Sequence, residues 1–281
     1  MGFLDKFKSS DKLADKAAEE ISKDYELGEI DSADCEGCSI QFPSNLSLDM
    51  DMLYNTAKKT SAQVLVFTGE SNWKKDIGET KSIWGEVCHE LAENSHELEK
   101  VVDGNLRING CDLFDDDIDE ETEVAVIILP QFARITTTPE NCVEDVKKVL
   151  SVKPGENLPS HATPIKDRGF VLLCSHGKRD KRCGVTAPLM RNALNIELRH
   201  HELYRDFDDD TPGGIRVLFV NHVGGHKFAA NALIYQNNGM ALMLARVRPE
   251  YAKTLVEKTI LQNIVIPELV RSCNKVAAYS W

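Results

Sequence analysis

The chain has 281 residues, 42% of them hydrophobic and 28% charged, and its formal net charge is -12. That length suffices for one large or two ordinary domains, each with its own core. The surplus of acid excludes a general nucleic-acid binder or a ligand of anionic membrane surfaces, because attraction to phosphate needs an excess of Lys and Arg.

No apolar stretch approaches the roughly 20 residues that cross a bilayer, and the first 20 residues lack the apolar core of a secretory leader, so no membrane span is expected and the reading is a cytosolic protein. Phe3, Leu4 and Phe7 make a short amphipathic start, but Asp5, Asp11 and Asp15 argue against a mitochondrial presequence. Gly2 opens a myristoylation-like pattern that Lys6 breaks, since Ser or Thr is wanted there. In a reducing compartment the eight cysteines are thiols, metal ligands or redox groups rather than structural disulfides.

Along the chain, residues 1–44 are polar and poor in aromatics and read as a tail that orders poorly. Strand-like runs at Val64–Thr68 and Val124–Leu129, with helical periodicity over Ile83–Leu98, predict an α/β domain over 45–152. The acid runs Asp115, Asp116, Asp117, Asp119, Glu120, Glu121 and Asp206, Asp208, Asp209, Asp210 read as solvated loops. Pro154, Gly155, Pro159 and Pro164 mark a linker over 153–167. A strand at Phe170–Leu173 then leads through a polar loop into a helix with Val185, Leu189, Ala193 and Ile196 as its apolar face. A strand follows at Ile215–Val220, and after a Gly-rich loop come Ala232–Tyr235 and Ala241–Val247, joined through Asn237, Asn238 and Gly239 as a tight hairpin. A last helix starts at Pro249, whose fixed φ suits a first turn. The order β-α-β-β-β-α is that of a thioredoxin-like core, giving two α/β domains with the thioredoxin-like one over 165–281. No internal repeat is evident in the sequence.

On this map the chemistry-bearing side chains converge. Cys174 ends one strand, Cys183 opens the following helix, and His222 and His226 follow the next strand, so all four stand at carboxyl ends of parallel strands, where open α/β sheets present ligands. Gly224 and Gly225 between the histidines let the backbone fold closely around a bulky group. The ligand types and the spacing C-x8-C, H-x3-H also suit a tetrahedral zinc ion. A thiol oxidoreductase would want C-x-x-C at the strand-to-helix turn, which this turn lacks.

The segments C-S-H-G-K-R-D-K-R-C-G at 174–184 and N-H-V-G-G-H-K-F-A-A-N at 221–231, with T-G-E-S-N-W at 68–73, resemble the sucrase/ferredoxin-like family. The resemblance implies a thioredoxin-like ferredoxin domain carrying a [2Fe-2S] cluster, with Cys174 and Cys183 on one iron and His222 and His226 on the other. Two ferric ions, two sulfides and two thiolates sum to about zero charge against about minus two for four thiolates, so such a cluster would be reduced more easily than an all-cysteine one. A ligating imidazole keeps a second nitrogen for a proton, so electron uptake would favour proton uptake. The family label mentions sucrase, yet no pair of carboxylates has a glycosidase context, and no substrate site is identified. The alternative is a non-redox module, stabilised by zinc or a cluster, in actin organisation or trafficking.

Other candidates read as structural. Cys35 and Cys38 form a lone C-x-x-C in the tail, and Cys88, Cys111, Cys142 and Cys273 read as packing residues. His176 reads as a loop histidine or a spare ligand, and His200 and His201 as favourable charges at a helix C-terminus. Lys178, Arg179, Lys181 and Arg182 form a basic patch around Cys183 that suits an acidic, flavoprotein-type electron donor. The terminal Tyr279-Ser280-Trp281 resembles the short peptide by which client proteins engage the cytosolic iron-sulfur assembly targeting complex, although Tyr279 replaces the usual aliphatic residue.

Overall fold

A computed structural model describes residues 14–31 and 40–281. The amphipathic start, Gly2, Cys35 and Cys38 lie outside the described residues. The fold is α/β: among the described residues ten strands form one mixed sheet in the order β12-β10-β9-β7-β8-β3-β2-β4-β5-β6, with helices packed on it, and two more strands pair separately. In chain order, helix α1 (14–21) and β1 (Glu26–Leu27) precede β2 (Thr60–Phe67). Then come α2 (Ile83–Glu93), α3 (Ser95–Val101), β3 (Asn105–Cys111), β4 (Val124–Leu129), β5 (Ala133–Thr137), α4 (Cys142–Leu150) and β6 (Ala162–Pro164). The C-terminal part contains β7 (Gly169–Cys174), α5 (Lys181–His200), β8 (Ile215–Val220), β9 (Ala232–Gln236), β10 (Met240–Leu244) and α6 (Ala252–Thr254), which sits between a 3-10 turn Pro249–Tyr251 and a π-helical stretch Leu255–Leu261. The chain finishes with β11 (Ile264–Val265) and β12 (Val270–Lys275).

The two strand groups have the same topology. β7 pairs in parallel with β8 and antiparallel with β9, and β9 pairs antiparallel with β10, an arrangement that β2, β3, β4 and β5 repeat in the same order. Helices α2 and α3 occupy the crossover that α5 occupies later, and α4 follows the fourth strand as α6 does. A structural repeat is thus present that the sequence does not display, because strand order is set by pairing and tolerates divergence of the residues that pair. The halves meet where the tips of β3 and β8 pair antiparallel at Cys111 and Val220. One buried cluster combines Val64, Val66, Ile128 and Ile135 with Phe170, Leu172, Tyr235 and Met243, so the sheet folds back on itself and the halves share a core.

The runs of buried β-branched and aliphatic residues in β2, β4 and β7 follow from this layering, since strands covered on both faces have no solvent side to make polar. Helix α5 buries a different stripe from the expected one. Cys183, Ala187, Met190, Leu194 and Leu198 face the sheet, while Val185 (41%) and Ile196 (39%) are exposed. Two overlapping apolar stripes exist on this helix, and the one that carries Cys183 inward wins because it continues the buried face of β7.

Residues 14–31, which the sequence places in a polar tail, pack on the C-terminal half. Ala17, Ile21 and Tyr25 are buried, β1 pairs in parallel with β11, and the Tyr25 hydroxyl donates to the Asn274 carbonyl at 2.9 Å. The far end of the chain crosses the other way. Tyr279 is buried with its hydroxyl donating to the Val152 carbonyl at 2.8 Å, and the Trp281 indole N–H donates to the Gln131 carbonyl at 2.7 Å. Ile21→Ala is therefore expected to lose about 2–5 kcal/mol of stability, the usual cost of emptying a buried aliphatic site. Urea unfolding of full-length protein measures this, and a loss under about 0.5 kcal/mol would return the segment to the status of a tail.

Candidate functional site

Cys174 is the last residue of β7 and Cys183 lies in the first turn of α5; both are free thiols and 1% exposed. Asp180 starts that helix, its carboxylate accepting the Arg182 amide at 2.9 Å. The loop between the cysteines folds tightly against the helix, because a Cβ on Gly184 would stand 2.8 Å from the Gly177 Cα. The sulfurs interact: the Cys183 thiol hydrogen-bonded to it holds Cys174 well below the ordinary thiol range, with His222 and the Val223 amide helping against the cost of burial. The same contact, followed by burial, pushes Cys183 up. Thiolate at Cys174 is the form that attacks or binds metal.

His222 and His226 flank the Gly224-Gly225 turn after β8, their ring centroids 5.2 Å apart at 40°. Both Nδ1 atoms are buried without a partner, whereas Nε2 of His226 faces the Asp180 carboxylate at 3.7 Å and that side chain is 42% exposed. The backbone of this loop is fastened from beneath. Buried Arg271 of β12 donates to the Gly224 carbonyl at 2.9 Å, to Asn231 Oδ1 at 2.8 Å and to the Thr56 carbonyl at 3.0 Å. Asn231 in turn donates to the Gly225 carbonyl at 3.0 Å, and Arg107 to the Val223 carbonyl at 3.3 Å. Burial, followed by the nearby Arg107, lowers the Arg271 guanidinium to about 10, while Cys174 acts in the opposite sense. Arg271 therefore remains a buried cation below the cysteines at neutral pH.

The N-terminal half reaches this site through the loop after β2. The Ser71 carbonyl accepts from Ser175 Oγ at 2.6 Å, Asn72 Oδ1 from the Lys178 amide at 2.9 Å, and the carbonyl of fully buried Trp73 lies 3.0 Å from His176 Nε2. His176 is thus a buried residue rather than a solvated loop histidine, and burial pushes its imidazole down. Its Nδ1 is a third buried nitrogen without a partner. Sequence reasoning did not find Arg271 or Arg107, which lie in no motif, and did not single out Asn231, although it ends the motif at 221–231; only the pairing of distant strands brings the two arginines under the loop.

The remaining sequence candidates lie elsewhere. Burial raises the thiols of Cys88 to about 12, Cys142 to about 11 and Cys273 to about 12, and raises Cys111 as well, which suits packing residues. His200 and His201 close α5 beside Glu197 and Glu257, at 3.6 and 3.3 Å. Among the described residues no three His, Cys, Asp or Glu side chains surround one point as a single-ion site would require, and no helix is long and apolar enough to cross a membrane. Cys183, Cys174, His222 and His226 instead form a row of neighbours.

With this fold and site, the chain belongs to the sucrase/ferredoxin-like family, whose profile matches residues 53–272. It is 31% identical, over 99% of its length and 100% of the relative's, to actin patches distal protein 1 of Saccharomyces cerevisiae. It is also 30% identical to altered inheritance of mitochondria protein 32 of Clavispora lusitaniae over 54% of each chain, and 32% identical to the Meyerozyma guilliermondii protein of that name over 36% of this chain and 33% of that one. No solved structure matches the chain.

The two loop glycines separate conformational strain from collision. Both have positive φ, but a Cβ at Gly224 meets open space whereas one at Gly225 would collide with the Arg271 guanidinium. Gly224→Ala is expected to cost about 1–2 kcal/mol, the left-handed penalty alone, and Gly225→Ala distinctly more. Thermal unfolding of the two variants measures the difference, and equal losses would remove Arg271 from its place against the loop.

Proposed function

We propose that the chain is a cytosolic [2Fe-2S] redox protein in which Cys174 and Cys183 hold one iron and His222 and His226 the other, and that it performs proton-coupled electron transfer. The observation that carries this reading is the row of two touching thiols and two imidazoles at the carboxyl ends of β7 and β8, with Cys174 biased to thiolate and both Nδ1 atoms buried without partners. A buried polar atom left unpaired costs about 1–3 kcal/mol, so three such imidazole nitrogens in one place favour a ligand there. When bound, such a cluster supplies a one-electron couple whose potential lies above that of all-cysteine ferredoxins, toward about -150 to +300 mV.

The protein's own groups handle the proton. With Nδ1 directed inward, Nε2 of each histidine is the atom left for a proton, and at His226 it is open to solvent and 3.7 Å from Asp180. Arg182, hydrogen-bonded to it, holds the Asp180 carboxyl below its ordinary value, so an anionic carboxylate stands beside the exposed ring. Arg271 adds positive charge beneath the site, which favours added negative charge above it. A second reading follows from the name of the yeast relative, which refers to actin patches: a non-redox module in actin organisation or trafficking, with the bound group only stabilising the fold. Reversible reduction separates the two.

Cys174→Ser and Cys183→Ser should each abolish the cluster, since one iron loses its anionic ligand. His222→Cys and His226→Cys should keep a cluster at lower potential and with a weaker pH dependence, one protonatable nitrogen having gone. Midpoint potentials of wild type and both histidine variants between about pH 6 and pH 9 test this. A pH-independent wild type, or a variant matching wild type in potential and slope, moves the assignment, with His176 the first replacement.

The C-terminal tripeptide supports a link to the cytosolic iron-sulfur assembly targeting complex. Trp281 is 37% exposed, and releasing its hydrogen bond to Gln131 would cost about 1 kcal/mol, so a receptor could lift it away. Deleting Trp281 should lower iron content in protein isolated from cells while leaving in-vitro reconstitution intact. Equal iron in the truncated and full-length proteins would sink the link.

A further inference from the structure

Five exposed cations from the two halves come together beside the site: Lys74 and Lys75 from the loop after β2, and Lys178, Arg179 and Lys181 from the cysteine loop. The loops are tied by the hydrogen bond from the Lys178 amide to Asn72 and by Arg179 Nη1 donating to the Lys75 carbonyl at 3.5 Å. Other cations nearby are consumed, Arg182 by Asp180 and Lys227 by Asp49 and Asp51, so Arg182 leaves the patch that the sequence suggested. Among the described residues, none of the five has a carboxylate within ion-pair distance, and Asp76 is turned to the Gly78 amide. The positive end of α5 lies at the same place, beginning at Lys181.

We infer that this two-half basic face is the docking surface for the acidic face of a partner redox protein. The inference rests on the redox reading for its purpose, and beside the face the His226 ring is 42% exposed, 3.7 Å from Asp180 at the head of α5, where both cysteines are 1% exposed. A chain of net charge -12 repels an extended polyanion such as nucleic acid or an anionic membrane. Only a compact acidic surface fits within the roughly 8–10 Å over which five local charges outweigh that field at moderate salt. Because Lys74 and Lys75 belong to the other half, neither half alone presents the face.

The test uses full-length protein with flavodoxin, a small acidic flavoprotein, as probe. Association is followed by NMR shifts at about 20 and 200 mM salt, with and without bound iron, and cluster reduction by stopped flow. The pairs Lys74→Glu/Lys75→Glu and Lys178→Glu/Lys181→Glu should each weaken association at least about tenfold at low salt and flatten its salt dependence. Lys153→Glu/Lys275→Glu, which leaves both loops untouched, should match wild type. Salt-independent binding by wild type, or patch variants equal to the control, overturns the inference. So does loss, in the patch variants, of binding to phosphatidylserine vesicles with flavodoxin binding unchanged. Patch-dependent association with no reversible reduction of the iron-reconstituted protein would keep the docking surface and discard the redox reading.

Discussion

The tips of β3 and β8 meet antiparallel through the pair Cys111 and Val220, and much of the molecule follows from that contact. Parallel strands collect their ligand-presenting ends on one side of a sheet. Joining two such sheets tip to tip brings the loop after β2 of one half against the loop after β7 of the other. The hydrogen bonds from Ser175 to Ser71 and from Lys178 to Asn72 are made across that seam. The N-terminal half thereby shapes the loop between Cys174 and Cys183. At the position where the C-terminal half continues from β8 into His222, the N-terminal half has Asp112, whose carboxylate accepts the Phe219 amide at 2.8 Å and pairs with Arg191 of α5. One copy of the fold uses its strand ends to hold the other.

Rigidity in the histidine loop is set from below. A Gly-Gly turn is flexible by itself, with two residues free to take positive φ, yet the carbonyls of Val223, Gly224 and Gly225 each accept from Arg107, Arg271 or Asn231. For the proposed redox centre, side chains held in place beforehand would need little reorganisation when its charge changes. Burying a guanidinium is costly unless its donors are satisfied, and Arg271 meets that condition through Thr56, Gly224 and Asn231.

Much of the α/β character was legible because buried strands such as Val124–Leu129 are unbroken apolar runs, and because Asn-Gly at 238 and 239 announces a hairpin. That Cys174, Cys183, His222 and His226 stand near one another was legible too, since they follow the ends of neighbouring strands β7 and β8 and are chemically conspicuous. The face of α5 was not, because two apolar stripes compete in its sequence and the choice belongs to β7. The packing of 14–31 was hidden by its charged composition, in which only Ala17, Ile21 and Tyr25 turn inward. The fastening of the histidine loop was beyond reach, as Arg107 and Arg271 lie more than a hundred residues apart and are unremarkable alone.

The crossing of the two chain ends bears on how the molecule is made. Helix α1 and β1, made before either half, complete the core of the C-terminal half, while Tyr279 and Trp281, made after both, seal the N-terminal half. Domains commonly fold as they emerge from the ribosome, N-terminal ones first, but here neither half owns all of its parts until Trp281 has emerged. The nascent chain must keep Ile21 and Tyr25 without their native partners until the strands and helices of residues 169–275 have been made.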